Sequence, residues 1–452
     1  MPADPSPLWL KYLPSAWRKR LAAKPGLHAA IGNSGWLLLD RMVRIVLGLV
    51  IGIWMARALG PIQFGQFNYA LAYVALFSSI ATLGLDGIVV RNLVLDPDSR
   101  ETILGTAFVL KAAGAAVAIV LGVTSIPLVA PHEPQIQALV AIIALGLLFQ
   151  ACDAIDFWFQ SQTSSKYTVV ARMPSLAIFF CARVLLILSG ASLAAFAWAQ
   201  TLELAVGALG LVVVYQRLDH SVMKWRPVFD HAVRLLRESW PLVLAGLSVM
   251  LYMKIDIVML GKMSGARETG LYSAATRLSE GFYFIPMIIT SSLAPLLLQA
   301  RAAGPAQYRQ RMLKLYVLMT RLGVAVALPL AVAAPFLIRT LFGDDYMESV
   351  AIFRIHIWAT IAVFLGVASS QYLTNEGQQK MSLYRTLLGL LSNVLLNLLL
   401  IPAYGGLGAA VATLISYFVA TFSIFLARSG AEQGKLMLRA MNPKLVVGFR
   451  RS

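Results

Sequence analysis

Charge is what this sequence has least of. Asp, Glu, Lys and Arg make up 13% of its 452 residues, where a soluble chain carries about 25%. So few charges cannot coat the roughly three globular domains that the length would otherwise suggest. With 59% of the residues hydrophobic, lipid is left as the solvent for most of the chain. A secreted enzyme, a coiled coil and a disordered scaffold are excluded. Cysteine is nearly absent: Cys152 and Cys181 both stand in apolar runs, where a thiol acts as a small hydrophobe, so no disulfide or zinc framework can be built. The five histidines, His28, His132, His220, His231 and His356, are scattered, and neither a P-loop nor an HExxH pair occurs. Neither a metal nor a cofactor is expected. The loops between apolar runs on the outer face are also too short to fold an active site, which argues against a membrane glycosyltransferase or polymerase. Movement across the bilayer fits better than catalysis.

What the sequence has in abundance is apolar runs of about 20 residues or more, the length that spans a bilayer as a helix. Twelve are read, at 36–58, 67–85, 103–129, 135–159, 167–189, 192–215, 239–261, 278–299, 315–342, 348–374, 381–402 and 406–427. The expected fold is an all-α integral membrane protein. Lys and Arg total 38 against 21 for Asp and Glu; in a membrane chain this excess reads first as topology rather than as nucleic-acid binding. Basic clusters fall at the N-terminus, at Arg217–Arg237, around Arg301, Arg309, Arg311 and Lys314, and from Arg428 onward. Alternate loops hold only Arg57, Lys262, Arg267 and Arg339. Positive charge is retained on the cytoplasmic side, so both termini are expected there. The expected divisions are a basic N-terminal segment at 1–35, a first lobe at 36–215, a basic linker at 216–238, a second lobe at 239–427 and a basic tail at 428–452. Trp9, Leu10, Trp17 and Leu21 among Lys11, Arg18, Lys19, Arg20 and Lys24 suggest a surface helix or a basic tail rather than a cleaved leader.

The chain repeats itself. Gly60-Pro-Ile-Gln-Phe-Gly65-Gln-Phe67-Asn-Tyr-Ala70 and Gly265-Ala-Arg-Glu-Thr-Gly270-Leu-Tyr272-Ser-Ala-Ala275 share the pattern G-x4-G-x-[FY]-x-x-A. Trp36 and Trp240 precede them at nearly equal distances, and Lys166 with Arg172 is matched by Lys380 with Arg385. Duplication of a six-helix unit explains all three. Six being even, the halves are expected to run parallel about an axis along the membrane normal.

Charges inside a bilayer cost at least about 2.5–3.5 kcal/mol and normally face water or a partner. Lys111, Arg183, Arg321 and Arg354 lie deep, with no acid within one turn; Arg41, Arg44, Lys254 and Arg277 complete a candidate cationic lining for a cavity between the lobes. Such a cavity favours an anionic cargo, and arginine's planar fork suits phosphate. Asp256, Asp153, Glu203 and Glu280 are candidates for ion coupling. Each position also has a plainer reading: Arg41 and Arg44 can snorkel to headgroups, and Arg277 and Glu280, three apart, can neutralise each other. Lys254 and Asp256, two apart, cannot. Asp256 therefore either titrates alone or pairs with a base on another helix.

The run from Trp36 through Asp40, Arg41 and Arg44, then Ala56-Arg57-Ala-Leu-Gly60-Pro61 to Tyr69-Ala70, and Leu83-Gly-Leu-Asp86-Gly-Ile-Val-Val-Arg91 resemble the bacterial O-antigen and polysaccharide flippases (Wzx type) of the multidrug/oligosaccharidyl-lipid/polysaccharide (MOP) exporter superfamily. Lys254-Ile-Asp256-Ile-Val-Met-Leu-Gly261, Gly270 through Pro286, and Gly406-Leu-Gly-Ala-Ala-Val-Ala-Thr extend the likeness over nearly the whole chain. The resemblance implies two six-helix lobes around a central cationic cavity and alternating access coupled to an ion gradient. The implied cargo is an undecaprenyl-diphosphate-linked glycan crossing the bacterial cytoplasmic (inner) membrane, with a polysaccharide polymerase and chain-length machinery as implied partners. A multidrug or small-solute exporter of the same superfamily is the alternative.

Overall fold

A computed structural model describes residues 25–426 and 430–442. The basic surface segment expected before Pro25, and Arg428, Ser429 and residues 443–452 of the tail, lie outside these residues. Among the described residues every regular element is helical. In chain order they are α1 (Pro25–Thr82), α2 (Asp86–Leu95), α3 (Arg100–Val129), α4 (Pro134–Phe149), α5 (Asp153–Ser161), α6 (Lys166–Leu188) and α7 (Leu193–Arg217). Then follow α8 (Phe229–Glu280), α9 (Phe284–Ala303), α10 (Pro305–Phe342), α11 (Ser349–His356), α12 (Ala359–Asn375), α13 (Gln379–Phe422) and α14 (Ala431–Ala440). Lipid cannot hydrogen-bond to exposed backbone, and helices satisfy theirs internally.

Among the described residues, ten segments are long and apolar enough to cross a membrane, and two of them run to 75 and 47 residues. A straight helix of that size would far exceed the roughly 30 Å hydrocarbon layer. Both reverse, at Gly265 and Gly405, which brings the crossings to about twelve, as expected. The reversal in α8 is visible in its own bonds: Tyr272 donates to Asp256, 16 residues earlier, a contact a continuous helix would hold about 24 Å apart. Asn393 and Thr413, 20 residues apart in α13, are likewise within 3.5 Å. In α1 the break is at Gly60, with φ 69° and ψ 171°, and in α8 at Gly265, with φ 84° and ψ 178°. The first glycine of each repeated motif thus makes the same left-handed turn, which a side chain would strain.

The eighth crossing begins at once after Gly265, earlier than the expected 278, and is interrupted at 281–283, between α8 and α9. The second crossing is interrupted at 83–85, between α1 and α2. The fourth and tenth break at 150–152 and at 357–358. Corresponding crossings of the two halves are therefore broken, though the second breaks 23 residues after Gly60 and the eighth 16 residues after Gly265. The halves meet chiefly where α1 lies along α8. The second glycine of each motif makes that approach possible, reciprocally. A Cβ on Gly65 would stand 1.8 Å from the Ala266 carbonyl oxygen, and one on Gly270 would stand 1.9 Å from that of Pro61. Leu128, Leu188, Val332, Phe336 and Leu399 project outward and exposed, as side chains solvated by lipid should.

The segment at 218–228 is strapped onto the first half. The Arg226 amide donates to the Glu101 carbonyl at 3.2 Å and the Val228 amide to Thr106 Oγ1 at 3.1 Å. Trp225 Nε1 donates to the Tyr215 hydroxyl at 3.4 Å. His220 stacks near Tyr215 and meets the Trp158 ring edge-on. Burial, then the Arg100 guanidinium beside it, hold its imidazole below the usual histidine value.

Candidate functional site

A cavity of about 310 Å³ lies between α1 and α8, on the side of the Gly65–Gly270 contact away from the two turns. Its polar lining is Arg44 and Asn68 from the first half, and Lys254, Ser273, Thr276, Arg277 and Glu280 from the second. Asn68 and Ser273 hold equivalent places in the repeat, 205 residues apart. Three cations face one acid, so the lining is net positive. Arg44 Nε donates to Asp40 at 2.9 Å, one turn back, yet its Nη2 is buried with no partner. A buried N–H left unmade costs about 1–3 kcal/mol; an oxyanion in the cavity would satisfy it. Arg277 lies with its guanidinium carbon 5.5 Å from the Phe64 ring centroid. It does not pair with Glu280 as their spacing suggested. The helix breaks directly after Glu280, whose carboxylate instead lies 3.8 Å from Lys254 Nζ.

Other expected cavity cations are elsewhere. Lys111 is fully buried in the first half, 3.6 Å from Asp86 and 3.5 Å from Asp153, with the Phe157 ring centroid 4.6 Å away. The other oxygen of Asp153 accepts from Arg172. Arg183 donates to Glu203 at 2.6 Å and to Gln200 at 2.9 Å. These bases had no acid within one turn because their acids come from other helices. Arg354 is corrected most sharply: α11 starts only five residues before it, and the side chain is exposed, donating to the Ala331 carbonyl at 3.2 Å. Arg41 is exposed on α1, and Arg321 is half-buried on α10; neither is among the cavity's lining residues.

Of the four coupling candidates, Asp153 and Glu203 are held by bases, and Glu280 faces the cavity. Asp256 differs. Fully buried, it accepts from the Tyr272 hydroxyl, from the Ile257 amide at 2.8 Å and from Thr413 at 3.4 Å. Of the two expected arrangements, a lone carboxylate or a pair with a base on another helix, it is the one without a base: two hydroxyls and an amide hold it. The chain continues from Thr413 to Asn393 and from Asn393 to Asn397, whose Nδ2 donates at 2.9 Å; the Asn397 Oδ1 is buried without a partner. Beside it, Ser279 meets His356 Nδ1 at 2.7 Å. This pocket is rich in oxygen and holds one carboxylate. Asn393, Asn397 and Thr413 were not singled out from sequence, and Tyr272, Asp86 and Arg172 were noted only in the repeat or the resemblance, not as site residues. The signal for the asparagines was available, since two of them four apart in an otherwise apolar crossing share one helical face.

The sequence profile of a family described as polysaccharide biosynthesis protein matches residues 54–351. The probable flippase AglR of Haloferax volcanii is 25% identical over 398 residues, covering 82% of this chain and 77% of AglR. The uncharacterized membrane protein MJ1375 of Methanocaldococcus jannaschii is 25% identical over 193 residues, 42% of this chain and 44% of MJ1375, so the chain matches less than half the length of that relative. Among solved structures, a multidrug resistance MATE family transporter of the MOP superfamily, in an inward-facing conformation, gives a TM-score of 0.73 at 14% identity. The match covers 88% of this chain and 96% of the transporter. The lipid II flippase MurJ, in an inward closed conformation, gives 0.69 at 13% identity over 92% and 93% of the two chains. The two likenesses establish a shared fold.

Proposed function

The chain belongs to the polysaccharide biosynthesis protein family, and from that premise we propose that it is a flippase for a lipid-linked glycan, a transporter and not an enzyme. The observation that carries the reading is the cavity between α1 and α8. Arg44, Lys254 and Arg277 offer positive charge and forked donors to a diphosphate. The unpartnered Nη2 of Arg44 supplies a donor that an oxyanion in the cavity can accept from. Glu280, Asn68, Ser273 and Thr276 offer hydrogen-bonding groups suited to sugar hydroxyls. The cargo is an oligosaccharide on a polyprenyl diphosphate, undecaprenyl in a bacterial inner membrane, destined for a polymerase on the far side. With the termini cytoplasmic, as the basic clusters favour, the glycine-braced end faces outward, and the cavity lies toward the leaflet where such lipids are made.

Cargo movement is coupled through Asp256. A carboxylate among hydroxyl and amide oxygens can exchange a proton or a small cation as its surroundings open, and the membrane potential contributes roughly 2.3 kcal/mol per charge per 100 mV. A multidrug exporter is the second reading, since that fold is shared, but a cavity with three cations to one acid is suited to anions.

The test is reconstitution. Vesicles holding the purified protein and a polyprenyl-diphosphate oligosaccharide should transfer the glycan to the leaflet reached by an added glycosidase, whereas protein-free vesicles should not. No protein-dependent transfer, together with gradient-driven extrusion of a cationic dye, would overturn the flippase reading in favour of the exporter.

A further inference from the structure

Arg57 and Lys262 break the charge pattern of the chain, because both sit beside the turns where basic residues are otherwise scarce. They are also equivalents in the repeat, 205 residues apart, as are Gly60 with Gly265 and Gly65 with Gly270. Each ends the first crossing of its half, and each reaches into the other half. Lys262 Nζ donates to the Val129 carbonyl at 2.6 Å, and Val129 is the last residue of α3. Arg57 Nη1 donates to the Thr340 carbonyl at 3.4 Å, and Thr340 lies in the last turn of α10. The third crossing of one half and the third of the other are thus capped by the same position of the opposite half.

The chemistry suits the place. The last four carbonyls of a helix have no partner within it, and the C-terminal end carries partial negative charge that a cation stabilises. A third bond lies alongside, from the Tyr346 hydroxyl to the Ala56 carbonyl at 2.8 Å, again between halves. Between Lys262 and the α3–α4 loop is a small cavity of about 150 Å³ lined by Tyr69, His132 and Glu133 among others. Between the two caps run the reciprocal glycine contacts.

We infer that Arg57 and Lys262 are paired gating residues, two symmetry-related latches that hold the halves together at the turn end and must release together for that end to open. The pairing follows from the repeat: a rocking of one half against the other that lifts Lys262 from α3 also lifts Arg57 from α10. Neither residue touches the central cavity, so each acts on the equilibrium between closed and open forms and not on cargo contacts. The positive-inside bias is broken here because the two cations have helix ends to cap.

The experiment reads that equilibrium directly and needs no cargo, so its outcome is separate from that of the flippase reading. In a Cys152→Ala/Cys181→Ala background, spin labels at Leu188→Cys and Tyr404→Cys, exposed positions in the first and second half, report the separation of the halves in nanodiscs. Lys262→Gln and Arg57→Gln should each raise the long-distance population about threefold, and the double substitution about tenfold, as for exposed charge-assisted bonds. Lys262→Arg and Arg57→Lys should restore the original distribution. A label pair within the first half, Leu128→Cys with Leu188→Cys, should not move, which separates gating from misfolding. An unchanged distribution in the double variant with the first-half distance intact would overturn the inference, as would a Lys262→Arg protein as open as Lys262→Gln.

Discussion

The two halves share one repeating pattern yet hold their most deeply buried charges differently; the Lys254–Glu280 pair of the second half is partly exposed at the cavity. In the first half, bases meet acids: Lys111 with Asp86 and Asp153, Arg172 with Asp153, Arg183 with Glu203. In the second, Asp256 is held by hydroxyls and an amide. Arg385, the counterpart of Arg172 in the repeat, donates at 3.0 Å to the Ala420 carbonyl and at 3.0 Å to Ser369. A pair of opposite charges locks both members in their charged forms, and separating them in a low dielectric is expensive. A carboxylate held by neutral dipoles can gain or lose a proton, or accept a cation, without leaving a second charge stranded, whereas the Arg385 guanidinium keeps its charge. The deepest charges of the first half are therefore fixed in pairs, and on the proposed reading Asp256 is the group of the second half that changes its charge.

That contrast can be broken most severely in the first half. Arg183→Ala should strand Glu203 and lower stability by about 3–5 kcal/mol, seen as a large fall in thermal unfolding temperature in detergent. Replacing both Arg183 and Glu203 by Met should recover most of it. If the single variant melts like the parent, the pair is not a structural lock.

At the junction, Arg277→Ala should reduce glycan transfer about tenfold or more while leaving the amount of folded protein unchanged. Arg277→Lys should recover part, since it keeps the charge and loses the fork. Arg354→Ala, on the exposed surface, serves as the control and should transfer normally; a loss there equal to that of Arg277 would remove the central cavity's special standing.

In the second half, Asp256→Asn keeps the shape of the hydroxyl-lined pocket. Vesicles carrying it should transfer glycan at a basal rate that no longer responds to an imposed ion gradient. A preserved response would assign coupling to another group.

The smallest effect concerns the strap. His220 has a lowered pKa in the folded state, so below the ordinary value of 6.5 the unfolded strap gains a proton that the folded one resists. The strap's stability is complete above that value and erodes as pH falls through it. Proteolysis near Lys224 should accelerate roughly twofold on acidification, and His220→Phe should remove that dependence. A parent protein cleaved at the same rate across this range would show that the imidazole contributes nothing.

Much of this contrast was hidden from the sequence for one physical reason. Apolar length and Lys/Arg bias report how segments meet lipid and water, so the crossings are legible, and the G-x4-G repeat marks the turns at Gly60 and Gly265. The interruptions at 150–152, 281–283 and 357–358 carry no comparable mark, because an apolar run looks the same whether or not it bends. Partners brought by other helices are equally invisible. Lys111 and Arg183 look solitary along the chain and are paired in space, while Asp256, for which the sequence left a lone carboxylate or a base partner open, is held by Tyr272 and Thr413.

The strap at 218–228 bears on how the protein is made. Its backbone and indole bonds reach Tyr215, Glu101 and Thr106, all of them synthesised earlier. It can therefore fasten as soon as it leaves the ribosome, before the seventh crossing has entered the bilayer. The second half is then threaded from a fixed starting point on a finished first half, and two similar bundles born on one chain are kept from inserting in each other's place.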